Sequence, residues 1–557
     1  MLFDTLYTNG TFHTQDASRP LAQSIGVHNG RVISLDDELA PTYFREVHDF
    51  HGAVVVPGFN DAHCHLSYVG LATMQADLRP STCTTMDELL AAVEAACAAA
   101  PEGAWVQGAG YDQNYFGNQH PTAEQLDAVS HGHPVFLMHV SRHMGVANTH
   151  AFELAGYPDR RNVHAPEGGA VPVSSDGRAL GLLQETARAL VMDAIPMPTT
   201  DDVAGMVAAG SAALLALGVT SITEPGLGAP QHIGHSFSDL AGFQQARDAG
   251  ILGVRATVMP YITTLHGLGD FLVGDQDRGL PVRPIGLDLG MRTGFGDDWL
   301  RLGPAKILSD GSLIGRSAFM CCDYSGDAAA NQENRGLLQF PAEDMRRKII
   351  GAHRAGWQVA AHAIGDAALD VVMGIFEEAQ RLYPRPDTRH RIEHLSVASD
   401  EQIRRVAALG LVPVPQGRFV YELGDGVARA MGPDRTRISY RVKALLDAGL
   451  EIPASTDAPV VGADPIQNIH DLVNRRTASG ADFVPEERIS VAQAIRSYTL
   501  GSAYAVHEER SKGTLVHGML ADFVVLSDDI YTVASEDIGD ITVTATVVDG
   551  RLAHGKL

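Results

Sequence analysis

Eight short apolar runs, most of them followed by a helix-forming stretch, constrain this chain more than any other feature. They fall at residues 54–58, 219–223, 254–259, 305–308, 358–361, 391–394, 411–415 and 451–455. Strand alternating with helix is the pattern of a parallel sheet built from βα units. Eight such strands close an α/β barrel whose functional groups collect at the carboxyl ends of the strands. The expected fold is therefore a (β/α)8 TIM barrel over residues 58–510. One interval breaks the rhythm: ~150 residues separate the first two runs, far more than a crossover requires. An inserted subdomain is expected at 66–215, with the Ala-rich stretch 89–100 helical.

The two ends have another texture. Residues 24–28 and 31–35 are β-rich and broken by Asn29-Gly30, and residues 521–526 and 541–548 precede a turn at Asp549-Gly550. Short strands punctuated by such dipeptides read as hairpins. Segments 1–57 and 511–557 are expected to build one composite β-sandwich domain beside the barrel.

Composition removes several function classes. With 42 basic and 67 acidic residues the formal charge is −25, a surface that repels phosphate backbones and anionic lipid headgroups, so neither nucleic acid nor membrane is expected as a partner. Five cysteines, with no CxxC spacing, argue against a disulfide framework or a thiolate zinc site and for a reducing, cytoplasmic setting. No basic leader precedes an apolar stretch at the start, and no run reaches the ~20 apolar residues that span a bilayer.

Chemistry concentrates at the ends of the runs. Residues two apart in extended chain point the same way, so His63 and His65 in Asp61-Ala62-His63-Cys64-His65 can converge on one ion. Cys64 then faces away and packs. Later runs end on Lys306, His362, His394 and Asp457. Taken singly, each has an ordinary explanation: a hydrogen-bonded histidine, a solvated lysine, an aspartate opening a turn. Their order, on runs one, four, five, six and eight, makes them one set.

These stations resemble the amidohydrolase superfamily, and longer strings are similar to its YtcJ-like branch, which includes N-substituted formamide deformylases. The strings are Pro57-Gly58-Phe59-Asn60-Asp61-Ala62-His63, residues 134–148 with His143, Gly181-Leu182-Leu183-Gln184-Glu185, residues 306–316 and 498–505, and Lys512 to Gly518 with Ala521-Asp522. They cover nearly the whole chain, and a long insertion after the first strand belongs to this branch. Two departures stand out. Ser455-Thr456-Asp457 replaces the more usual Gly-Ser-Asp, leaving the aspartate in place, and Gly417-Arg418-Phe419 after Gln416 matches no familiar string, which bears on specificity.

The resemblance implies one or two divalent ions per chain, zinc first, with manganese, iron or cobalt able to use the same donors. Such an ion lowers the pKa of water to ~7 and so supplies hydroxide at neutral pH. His63, His65, Lys306, His362, His394 and Asp457 are the implied ligands. An ammonium has no lone pair, so Lys306 is expected as a carbamate, formed with carbon dioxide, bridging two metals. The competing expectation is a bare Lys306 donating to substrate or to Asp310, with Glu185 as an alternative bridging carboxylate. Asp457 is expected as general base and then acid, and His143 either to polarise the substrate carbonyl or to serve the insertion's structure. The expected reaction is hydrolysis of a non-peptide amide or formamide bond in a small molecule. The same site could instead serve an ester, carbamate or cyclic urea. A silent binding or regulatory protein would be marked by a lost ligand, and all six positions are filled. A homodimer is compatible with all of this.

Overall fold

The computed structural model describes residues 2–80, 82–139, 144–166, 168–268, 282–325 and 334–556. The chain divides into two compact units, one of Met1–Leu66 with Thr200–Leu557 and the other of Ser67–Thr199.

The first unit holds two four-stranded parallel sheets. One runs Leu300–Leu302, Arg255–Pro260, Val219–Leu227, Phe59–Asp61, and the other Ala305–Leu308, Val359–Ala363, Arg391–His394, Val412–Val414. Every residue of Val219–Leu227 and Arg255–Pro260 is buried, as expected of parallel strands covered on both faces. Parallel bridges join Tyr261 to Lys306 and Gln416 to Ser455, and the Ala62 amide donates to the Ala454 carbonyl at 3.0 Å. Helices follow the strands for local reasons. Asp366–Leu382 buries Leu369, Val372, Met373, Phe376 and Ala379, the three-and-four spacing of one helical face. Asp400–Ala408 opens on a capping box between Ser399 and Gln402.

Two of the eight expected strands differ. The sequence pattern puts residues 54–58 in the parallel set, but Val54–Pro57 pairs antiparallel with Phe523–Leu526, and the parallel strand is the next segment, Phe59–Asp61. A run of valines satisfies either sheet, and only the pairing partner separates them. Residues 451–455 form no extended strand; the Gln416–Ser455 bridge is their sheet contact. Leu300–Leu302 is a parallel strand absent from the expected eight.

Both ends of the chain meet in one six-stranded sheet, ordered Arg551–Gly555, Val543–Val548, Phe523–Leu526, Val54–Pro57, Thr11–His13, Leu21–Ala22. A four-stranded sheet runs Arg31–Leu35, Ile25–His28, Phe3–Thr8, Phe44–Asp49. Tyr7 from the smaller sheet and Phe12 and Phe523 from the larger share one core, with the Tyr7 and Phe523 rings edge to face at 5.0 Å. The Ser67–Thr199 unit has its own six-stranded sheet, from Gly169–Ala170 through Leu182–Glu185, Met144–Ala147, Val135–His139 and Val106–Tyr111 to Ala76–Asp77. Its helix Met86–Ala99 is capped by Thr85 and Glu88 and packs Leu89, Val93 and Cys97 into the core with Leu137. No helix among the described residues is long and apolar enough to cross a membrane.

Candidate metal centre

Asp61, the last residue of its strand, ties the first functional segment to the eighth. Its carboxylate accepts from the backbone amides of His63 (3.0 Å) and Thr456 (3.2 Å) and from the Thr456 hydroxyl (2.5 Å). The Asp457 amide donates back to the His63 carbonyl at 2.7 Å. These bonds bring His63 Nε2 to 3.4 Å and His65 Nε2 to 3.2 Å from the same Asp457 oxygen. The ligand atoms of His63, His65 and Asp457 all lie within 4.8 Å of one another. Asp457 and His394 adopt positive φ, 61° and 72°, a left-handed conformation that non-glycine residues hold only where the surroundings impose it.

The imidazoles are oriented from behind. His63 Nδ1 bonds the Glu393 carboxylate, which is gripped by Arg391 through Nε (2.8 Å) and Nη2 (2.9 Å); Arg391 also donates to the Ala62 carbonyl at 2.6 Å. A carboxylate at one ring nitrogen directs the other nitrogen's lone pair toward the site. His394 Nδ1 donates to Gln416 Oε1 at 2.8 Å, and Gln416 Nε2 is committed to Ser455 Oγ and the Val414 carbonyl. Phe419 stacks on the His394 ring, nearly parallel at 10°. His362 turns Nε2 to the Gly311 carbonyl (3.1 Å) and Asp310 (3.2 Å). The rings form a chain, with centroids 5.7 Å apart from His65 to His63, 5.0 Å from His63 to His394 and 4.6 Å from His394 to His362.

Electrostatics prepares the donors. Burial pushes the His65 pKa down against the pull of Asp457, and burial followed by the neighbouring His362 holds His394 well below the usual histidine range. Burial raises the Asp457 carboxyl, yet His63, His65 and His394 bring it well below its ordinary value. Neutral imidazoles beside an ionised carboxylate make a donor set suited to a divalent ion. Lys306 is buried, which lowers its pKa to about 8 against the raising influence of Glu393 and Asp457.

Of the residues singled out in the sequence, His63, His65, His394, His362 and Asp457 meet here, and Lys306 lies on the strand paired with that of His362. Among the described residues, no hydrogen bond or ion pair joins Lys306 to Asp310; that carboxylate instead accepts the amides of Phe319, Ile364 and Gly365. His143 lies outside the described residues. Glu185 ends a strand of the Ser67–Thr199 unit and is exposed. Sequence reasoning gave no role to Arg391, Glu393 or Gln416. It also missed Glu224, fully buried near the end of Val219–Leu227 with Oε1 3.8 Å from His65 Nδ1. An acidic residue inside an apolar run was the one available signal for Glu224 and Glu393.

The amidohydrolase family profile matches residues 46–554. The chain belongs to the amidohydrolase family. This amidohydrolase is 30% identical to the protein LONG AFTER FAR-RED 3 of Arabidopsis thaliana, over 98% of this chain and 91% of that one. It is 28% identical to the N-substituted formamide deformylase of Arthrobacter pascens, over 99% and 98% of the two chains. A solved structure of an uncharacterized metal-dependent hydrolase from Pyrococcus furiosus superposes with a TM-score of 0.74 at 27% identity, covering 95% of this chain and all of that one.

Proposed function

We propose that this amidohydrolase is a metal-dependent enzyme that hydrolyses a carbon–nitrogen bond of a non-peptide amide or formamide in a small molecule. The observation that carries the reading is the convergence of His63, His65 and Asp457 on one point, with the His63 tautomer set by Glu393. In this reading the two parallel sheets, with the consecutive pieces Leu300–Leu302 and Ala305–Leu308 counted as one interrupted strand, and residues 451–455 make one (β/α)8 barrel over 58–510, with 66–215 inserted and 1–57 and 511–557 as the β-sandwich. The Tyr261–Lys306 and Gln416–Ser455 bridges support that closure.

His63, His65 and Asp457 would hold one divalent ion, zinc first, and His362 and His394 would hold a second. Bound there, such ions supply Lewis acidity toward a carbonyl oxygen and acidify water. Lys306, with its pKa near 8, has an appreciable neutral fraction at neutral pH. Its Nζ lone pair adds to the carbon of carbon dioxide, a proton leaves, and the resulting carbamate would offer anionic oxygen donors to a bound metal. Asp457, ionised and beside His63 and His65, accepts the proton of the attacking water and returns it to the departing nitrogen. That second transfer favours an amide, because an amide anion leaves very poorly without a proton. The deformylase relationship supports the same bond type.

The test combines metal analysis, a panel of amides, formamides and esters, and Asp457→Asn with metal content measured on the same sample. Expected are one or two ions per chain, preference for a carbon–nitrogen bond, and a kcat loss of ~10²-fold or more in the variant. Full activity in rigorously metal-free protein, or near-native kcat in a normally metallated Asp457→Asn, overturns the reading.

A further inference from the structure

Of the five cysteines, Cys64, Cys83 and Cys97 are buried, while Cys321 and Cys322 are exposed, and the two exposed sulfurs lie 3.2 Å apart. Successive side chains in extended backbone point to opposite sides, so the scaffold must turn this pair together. The bonds that do so are on both flanks. The Cys321 amide donates to Asp366 Oδ1 at 2.8 Å, and the Phe319 amide to Asp310 Oδ2 at 2.9 Å. On the other side Arg435 donates to the Cys322 and Asp323 carbonyls at 3.3 and 2.6 Å, and the Tyr324 hydroxyl to the Ala318 carbonyl at 2.8 Å. These bonds fix the backbone on both flanks of the pair, and within that frame the two thiols share a hydrogen bond.

We propose that Cys321 and Cys322 are a modification site: a vicinal dithiol that a low-molecular-weight disulfide oxidises to a disulfide between adjacent residues. Burial and the adjoining Asp366 push the Cys321 thiol up; thiol–disulfide exchange starts at the other member of the pair, Cys322. Its thiolate forms a bond to one sulfur of the reagent, whose S–S bond breaks and releases one thiol. Cys321 then gives its proton to solvent and attacks the Cys322 sulfur, displacing the second thiol. Two protein thiols are oxidised and one reagent disulfide is reduced. Adjacent α-carbons are held about 3.8 Å apart, short of the ~4.4–6.8 Å usual across a disulfide. The ring is therefore strained, and strained disulfides are the readily reduced, reversible ones.

Closure draws the sulfurs from 3.2 Å to about 2.05 Å and so pulls on residues 319–322. That backbone is bonded to Asp310, which lies 3.2 Å from His362 Nε2, and to Asp366 at the start of the helix after the His362 strand. The oxidation state of the pair is thereby coupled to the second half of the metal centre.

The experiment uses the folded full chain with glutathione disulfide, and does not depend on any hydrolase activity. Expected are a loss of two hydrogens in intact mass and of two of the five thiols, reversal by dithiothreitol, and faster amide exchange in peptides covering 309–325 and 362–368. Cys322→Ser, an exposed change, should block closure. A stable mixed disulfide on the wild-type chain, or no thiol loss, overturns the site. Closure with unchanged exchange in both peptides overturns the coupling.

Discussion

Replacing Glu393 by glutamine keeps the shape of the residue behind His63 and removes its charge. Glu393 and Arg391 are both fully buried and joined by two bonds of 2.8 and 2.9 Å. Opposite unit charges ~4 Å apart attract by about 4 kcal/mol at an effective dielectric of 20, and stripping a buried ion of its partner costs about 3–5 kcal/mol. Burial raises the Glu393 carboxyl, but Arg391 and His63 together bring it far below the carboxylate range, so the native charge is present at every working pH. Glu393→Gln should lower the melting temperature of the metal-free chain. Loss of the carboxylate at His63 Nδ1 should also weaken metal binding by about 10–100-fold. Competition with a chromophoric chelator measures the second effect. Removing both charges, in Arg391→Met with Glu393→Gln, should cost less than the two single changes added together, because no lone buried ion remains. Wild-type melting and metal affinity within about twofold of wild type in Glu393→Gln would refute the argument.

Lys306→Ala should lose most of the second metal and recover part of it with short carboxylic acids; elemental analysis showing two ions per chain in the variant removes the carbamate. Gly365→Ala should destabilise by about 1–3 kcal/mol, since an added Cβ would lie 2.0 Å from the Phe319 carbonyl oxygen; an unchanged melting curve contradicts that packing. His353 and His390 form a buried relay in which His390 Nδ1 accepts the Val359 amide, the two rings meet at 2.8 Å, and His353 Nε2 donates to the Tyr383 carbonyl. Burial, reinforced by nearby positive charge, depresses both pKa values below 6.5. The native state thus binds fewer protons than the unfolded chain, and stability should be full above pH 6.5 and fall as pH drops toward the depressed values. Urea midpoints from about pH 7 to 5 should show a shallower slope in His353→Gln, and identical slopes count against a neutral relay.

The sequence by itself singled out the candidate donors and the parallel-strand character of most of the segments that carry them. His63 and His65 are neighbours in the chain, and Lys306, His362 and His394 sit in apolar runs whose strand character is local. Residue type and position on such a run are one-dimensional facts. The structure alone decided which sheet the valines of Val54–Pro57 join, because β-pattern is the same for both and the choice rests on Phe523–Leu526, far along the chain. It decided that Glu393 backs His63, 330 residues away, and that Gln416 orients His394. It also placed Glu224 beside His65, lowered the Lys306 pKa by burial, and turned two adjacent sulfurs together. Each of these depends on what a side chain meets once water is excluded, and hydrogen-bond partners and desolvation come from contacts between distant segments.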